Sequence, residues 1–429
     1  MKPQMIRVGL LGFGTVGSGV YRMMRDNADS ITRHIGSPAE IVKIGVRDLS
    51  KSREFALDNL TNDLESIVDD PAIDVIIEVM GGVSPARELI ERALASKKHV
   101  ITANKELIAK HGAALMKQAA LHSLDLHFEA AVGGGIPLVQ PLKHQLAGND
   151  VLKMMGILNG TTNYILTQMT EKKQAFSVAL ADAQELGYAE ADPSADVEGF
   201  DAQYKLAILS TIAFSQEIPV ESVYREGITK ITADDIHFAR ILGYRIKILG
   251  IVEALPDGIL ARVHPVLLPR RFPLANVHDV YNAVQIRGDF VGDVILSGRG
   301  AGSAPTASSV IGDLIDVGRN IRLGGAGNVT MPDSGGLPLL PIEKLETAYY
   351  LRMLVDDQPK VLGSIALHLG EYGVSLAAME MRVVSEQDKI GEIVFLTHVC
   401  NEGMFRKAIS VLEGEPVVKE ICSWIRVES

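Results

Sequence analysis

A chain of 429 residues, 47% of them hydrophobic, is long enough for two or three domains with sizeable cores. Its formal net charge of −11 argues against nonspecific nucleic-acid binding and against an anionic membrane surface. Two cysteines, Cys400 and Cys422, make no disulfide framework, and no apolar run approaches the ~20 residues of a membrane span, so a soluble cytoplasmic protein is expected.

In chain order, residues 5–11 read as a buried strand that runs into Gly12-Phe13-Gly14-Thr15-Val16-Gly17 and then a helical pattern through Val20, Met23 and Met24. That is G-x-G-x-x-G between a strand and a helix, the context in which it signals a dinucleotide site. Gly12 permits the tight turn, Gly14 lets the backbone approach a pyrophosphate, and Gly17 allows close helix–strand packing. A second strand, 40–46, ends in Arg47-Asp48. The acid suits a ribose 2′-hydroxyl and the arginine a 2′-phosphate; Arg47, coming first, tilts the choice to NADP(H) and leaves NAD(H) open. Further strands are expected at 73–80, 99–102 and 124–130, alternating with helices. Together they predict an α/β, Rossmann-type doubly wound parallel sheet. Lys105 follows one of these strands at its C-terminal end, where such sheets bind ligands. After the last strand comes Glu129 with Val132-Gly133-Gly134-Gly135-Ile136. These residues read as a hinge or as oxygen ligands for a hard cation.

Beyond Pro137 the strict alternation ends. Asn159-Gly160-Thr161-Thr162-Asn163 reads as a capped helix start or as polar groups for a substrate. Gly187-Tyr188-Ala189-Glu190-Ala191-Asp192-Pro193 leads through Asp196 and Glu198 to Asp201 and Lys205, five carboxylates in one broken loop. Read as a helix, the segment from Asp201 puts Lys205 one turn on, and both share a face with Ile208, Leu209 and Ile212. A solvated ion pair belongs on the opposite face, so this pair is expected to belong to an active site. The cluster Ser297 to Ser303, with Gly298, Gly300 and Gly302, predicts a second backbone surface over the cofactor; a flexible turn is the plainer reading. Residues 327–340 read as a linker. The C-terminal segment shows a βαββαβ order, a ferredoxin-like module without a dense polar constellation. The expected division is a dinucleotide-binding domain over 1–136, completed by about 298–326, and an α+β substrate and dimerisation domain over 137–297. A linker at 327–348 and a regulatory module over 349–429 follow.

With these motifs in order along the chain, it resembles the monofunctional homoserine dehydrogenases over essentially its whole length. Residues 349–429 resemble the ACT module of that family. The resemblance implies interconversion of L-homoserine and L-aspartate 4-semialdehyde with NADP(H) or NAD(H), in threonine, methionine and isoleucine biosynthesis. It implies Lys205 as proton donor, Asp201 orienting the substrate, and Lys105 assisting proton movement. Glu190, Thr162 and Tyr188 would contact substrate. Gly12, Phe13, Gly14, Thr15, Val16, Gly17, Arg47, Lys105 and Gly302 would bind cofactor. A sodium ion would rest on Glu129, Val132, Gly134 and Ile136. A homodimer or homotetramer is implied, with threonine as effector. One departure is Lys360, where the ACT pattern has glycine. Lysine disfavours the positive φ of that turn, so threonine inhibition is expected to be weak or absent, and truncation after Leu340 to leave a competent catalytic core without any threonine response. Two rivals stand beside this reading. Aspartate-semialdehyde dehydrogenase needs a cysteine nucleophile, whereas both cysteines here lie in the C-terminal module. The other is a non-catalytic amino-acid sensor that retains the fold.

Overall fold

The computed structural model describes residues 5–326 and 336–428; residues 327–335 of the expected linker lie outside the described residues. Its first strands are β1 (Ile6–Leu11), β2 (Ala39–Gly45), β3 (Leu60–Thr61), β4 (Val75–Glu78), β5 (His99–Thr102) and β6 (Leu126–His127). They form a parallel sheet in the order β3-β2-β1-β4-β5-β6, the doubly wound pattern whose order reverses beside β1. The strands are apolar because helices cover both faces. Val8, Leu10, Ile44 and Val75 share a core with Val20 of helix Thr15–Asp26. Val310, Leu314 and Val317 of helix Ser303–Leu323 fill the same core, so a segment from far along the chain completes the N-terminal sheet.

The remaining strands are β7 (Val151–Ile157), β8 (Tyr224–Arg225), β9 (Tyr244–Leu255), β10 (Gly258–Pro269), β11 (Tyr281–Gly288), β12 (Gly292–Arg299), β13 (Glu346–Asp356), β14 (Leu376–Ser385), β15 (Ile390–Thr397), β16 (Cys400–Asn401) and β17 (Val418–Val427). Two compact units emerge: 1–152 with 204–220 and 282–336, and 153–203 with 221–281 and 337–429. These boundaries differ from the expected ones. The C-terminal segment shares a unit with much of the expected substrate domain.

Within the second unit, β13, helix Val361–Glu371, β14, β15, helix Glu402–Glu413 and β17 make the expected βαββαβ order. The strands run β17-β13-β15-β14, antiparallel throughout, with Tyr349 stacked on Phe405 at 3.8 Å in the core. The segment is also joined to the rest of its unit. β17 also pairs in parallel with β10, through Val266 with Arg426 and Leu267 with Val427. Three buried arginines tie the segment to its unit. Arg426 bonds Glu402 at 2.8 Å and Glu226 at 2.9 Å. Arg352 bonds Asp235 at 2.7 Å, and Arg262 bonds Glu253 at 2.6 Å and Glu428 at 2.9 Å. The expectation for Lys360 also changes: the turn forms, with Lys360 itself at φ 77°. The backbone carries the strain, of order 1–2 kcal/mol, and the turn is not blocked.

Among the described residues no helix is long and apolar enough to cross a membrane.

Candidate active site

In the first unit the glycine loop has the geometry its sequence predicts. Gly12 lies at φ 103°, and a Cβ there would sit 2.8 Å from the Val79 carbonyl oxygen. A Cβ on Gly17 would collide with the Gly12 carbonyl, whereas one on Gly14 would meet nothing within 4 Å. Gly14 heads helix Thr15–Asp26, and no side chain caps that helix. Its first N–H groups therefore suit a phosphate. Phe13 packs edge-on against Tyr21 at 5.7 Å, and Val16 packs against the sheet core. This loop fits a dinucleotide.

The second glycine cluster comes to the same place. Ser303, next to Gly302, donates its hydroxyl to the Thr15 carbonyl at 2.7 Å. A Cβ on Gly134 would lie 2.5 Å from the Gly300 carbonyl carbon, so the two glycine segments touch backbone to backbone. Arg47 is exposed, and among the described residues no carboxylate is paired with it. Asp48 is engaged instead: Oδ1 accepts the Ser50 N–H at 2.8 Å and hydroxyl at 2.6 Å. The Ser50 hydroxyl holds its carboxyl below the usual range.

Glu78 ends β4, fully buried, with burial pushing its pKa up. It accepts the Met80 N–H at 2.7 Å and the Thr102 hydroxyl at 2.6 Å. Thr102 in turn accepts the Asn104 N–H at 3.0 Å, and Asn104 caps helix Lys105–Leu121. This chain of bonds fixes the loop that presents Lys105, which is half-buried at the first helical position.

The carboxylate of Glu129 is used by backbone. Oε1 accepts the N–H groups of Leu138 at 2.6 Å and Val139 at 2.9 Å, and Oε2 accepts that of Gln140 at 2.6 Å. Burial pushes its pKa up despite these bonds. Val132, Gly134 and Ile136 are buried, and the Gly134 carbonyl accepts the Ser309 hydroxyl at 2.6 Å. Among the described residues no group of three or more His, Cys, Asp or Glu could hold a metal ion.

In the second unit the Asn159 side-chain nitrogen donates to Asp196 at 2.6 Å and to Asp201 at 2.9 Å. Thr162 is fully buried, and both its N–H and its hydroxyl bond Asn159. The N–H and the hydroxyl hydrogen of Thr162 are thus turned to Asn159, and the hydroxyl oxygen keeps its lone pairs as acceptors. The Thr161 hydroxyl bonds the Tyr188 carbonyl at 2.7 Å, and the exposed Tyr188 ring stands edge-on to Tyr164 at 5.2 Å. Glu190 is exposed, with its carbonyl held by Gln184 at 3.0 Å. Helix Phe200–Ala213 runs from the second unit into the first: Asp201, 4% exposed, belongs to the second and Lys205, 8% exposed, to the first. Both charges are buried; of the apolar residues expected on their face, Ile208 and Leu209 are buried and Ile212 is half-buried, within a run from 205 to 210 that is buried throughout.

Glu78 carries no signal in the sequence, and Asn159, Asp196 and Ser303 stand out there only as members of their motifs. Asn159 reads as a helix cap and Ser303 as a turn residue; nothing local signals their distant partners.

A doubly wound sheet with this phosphate loop, and a buried lysine and aspartate opening one helix, defines an NAD(P)-dependent oxidoreductase. Residues 12–129 match the family model described as homoserine dehydrogenase, NAD binding domain, and residues 137–315 match that described as homoserine dehydrogenase. A homoserine dehydrogenase of Bacillus subtilis is 42% identical over 425 residues, covering 99% of this chain and 98% of that protein. The crystal structure of a homoserine dehydrogenase from Thiobacillus denitrificans matches with a TM-score of 0.95 at 42% identity, covering 100% of this chain and 99% of that one. A hyperthermophilic archaeal homoserine dehydrogenase in complex with NADPH matches with a TM-score of 0.63 at 26% identity, covering 73% of this chain and 98% of that one. The chain belongs to the homoserine dehydrogenase family. Relatives that match over the full length are named dehydrogenases, which favours the enzyme over the non-catalytic sensor.

Proposed function

We propose a division of labour for the interconversion of L-homoserine and L-aspartate 4-semialdehyde. Lys205 protonates the aldehyde oxygen during reduction and, deprotonated, takes the hydroxyl proton in the reverse direction. Alkoxide charge builds on that oxygen as the carbonyl is reduced, and an ammonium there both stabilises and neutralises it. Asp201 orients the polar end of the substrate, Glu190 takes the substrate ammonium, and Tyr188 lines the same subsite. Thr162 supports Asn159 through its N–H and hydroxyl hydrogen and offers its hydroxyl oxygen to the substrate. Lys105 assists proton movement and substrate placement. The observation that carries this reading is the burial of Asp201 and Lys205 on one helix, which is costly unless the charges are paired or used.

NADP(H), when bound, supplies or accepts the hydride. Gly12 to Gly17 and Gly302 hold its phosphates, and Arg47 meets the 2′-phosphate. The engagement of Asp48 by Ser50 supports NADP(H) over NAD(H), as does the archaeal relative in complex with NADPH. A sodium ion would rest on main-chain carbonyls of Glu129, Val132, Gly134 and Ile136, since the Glu129 carboxylate is engaged by backbone. We place the protein in the cytoplasm as a homodimer or homotetramer with threonine as effector of the ACT-like 349–429 segment. The edge strand β14, with exposed Met379, Met381, Val383 and Val384, supports association.

The test is an absorbance assay at alkaline pH with homoserine and either NADP+ or NAD+. The proposal expects a homoserine-dependent rise in reduced nicotinamide, faster with NADP+. No rise with either cofactor contradicts it.

A further inference from the structure

The Asn159 carboxamide has its full hydrogen-bonding capacity committed. Its nitrogen donates to Asp196 Oδ1 and Asp201 Oδ2, at 2.6 and 2.9 Å. Its oxygen accepts from the Thr162 main-chain N–H at 2.8 Å and the Thr162 hydroxyl at 2.9 Å. An amide has two N–H donors and two lone pairs, so all four are matched at a buried position. The oxygen side of this pattern is ordinary, because Asn159 caps helix Gly160–Lys172, and serine, threonine or aspartate would cap it as well. The nitrogen side is not explained by capping. Serine could offer one hydrogen and aspartate none, whereas two carboxylates are held here by one group. A lysine in that place would neutralise charge; the amide binds both carboxylates and leaves their charge intact.

We infer that Asn159 is a positioning residue for the reaction. It fixes Asp201 together with Asp196, so that the Asp201 carboxylate meets the substrate in one geometry. This rests on the reading of Asp201 as the group that orients the substrate. A misplacement of about 1 Å at such a group can cost on the order of 10² in rate.

Asn159→Asp tests it, because that change keeps the shape and the capping oxygen. It replaces both donors with an anionic oxygen facing two carboxylates. The expected result is a fall in kcat of about 10² with unchanged NADP(H) affinity by fluorescence titration. The acid limb of kcat/KM should move up by about one pH unit, since a third negative charge raises the neighbouring carboxylate pKa values. Asn159→Ser, with a cap and one donor, should fall between this variant and the wild type. Asp201→Asn is measured beside them. If Asp201→Asn is inactive while Asn159→Asp keeps wild-type kcat and pH profile, the inference is overturned and the reading of Asp201 stands. If Asp201→Asn is as active as wild type, both are overturned. Should Asn159→Asp not fold, Asn159→Ser decides: partial activity supports the inference, and full activity with an unmoved pH profile overturns it.

Discussion

Ser303 donates its hydroxyl to the carbonyl of Thr15 at 2.7 Å, joining the second glycine cluster to the phosphate loop across 288 positions of sequence. The contact depends on Gly19, one turn into the same helix as Thr15. A Cβ there would lie 2.5 Å from the Ser303 hydroxyl oxygen and 2.7 Å from its carbonyl oxygen. Gly19→Ala should therefore wedge the two helices apart, at a cost of about 1–3 kcal/mol, and weaken NADP(H) binding with it. Thermal denaturation and a cofactor titration read both effects. A variant with wild-type melting and affinity would show that the helices shift without consequence.

Arg47 stands exposed at the end of β2 while the Asp48 carboxylate is occupied by Ser50. Arg47→Ala should raise KM for NADP+ much more than for NAD+, because only NADP+ offers a phosphate to the guanidinium. The comparison of kcat/KM for both cofactors decides. Equal losses would mean that Arg47 does not read the phosphate.

Much of the first unit is legible in the sequence, because parallel strands buried on both faces are short apolar runs with glycine punctuation. The expected strands at 5–11, 40–46 and 99–102 match β1, β2 and β5 to within a residue, but the two-residue β3 has no periodicity to detect. The helix bearing Asp201 and Lys205 is legible because charges on an apolar face break the amphipathic rule. What sequence does not carry is distant pairing. The parallel register of β17 on β10 and the meeting of Asn159 with Asp196 and Asp201 depend on tertiary packing, and neither leaves a local pattern. Lys360 shows the opposite limit: a propensity argument against positive φ is overridden by the turn around it.

Truncation after Leu340 should not leave a stable catalytic core, contrary to the sequence-based expectation. It would strip Arg262 of Glu428, Asp235 of Arg352 and Glu226 of Arg426. Breaking one buried pair costs about 3–5 kcal/mol, so the truncated chain should be recovered unfolded or aggregated. In the full chain, burial pushes the Glu402 carboxyl up, but the Arg426 guanidinium more than offsets this and holds it below the usual range. Stability from this pair is therefore present above the unfolded carboxylate value of about 4.3 and is lost as pH falls through the folded value. Glu402→Gln should flatten that acid limb in urea titrations. A folded, active truncated chain would contradict the argument.

Lys247 is buried and donates to the Asn163 side-chain oxygen at 2.7 Å and the Val277 carbonyl at 2.6 Å. Burial pushes its pKa down to about 7. Between that value and the unfolded value of about 10.4, the unfolded chain binds more protons, so stability should rise with pH in this window. Lys247→Met removes the titration. The stability difference, wild type minus variant, should grow from neutral to alkaline pH. A constant difference would mean that the ammonium stays charged in the fold.

The central claim is that Lys205, buried one turn from Asp201 on helix Phe200–Ala213, moves the proton of the reaction. Steady-state kinetics of Lys205→Ala, with an NADP(H) titration on the same preparation, tests it most directly. The account predicts a kcat at least ~10² lower, with cofactor affinity and folding intact. A kcat close to that of the wild type would contradict it and remove Lys205 from the mechanism.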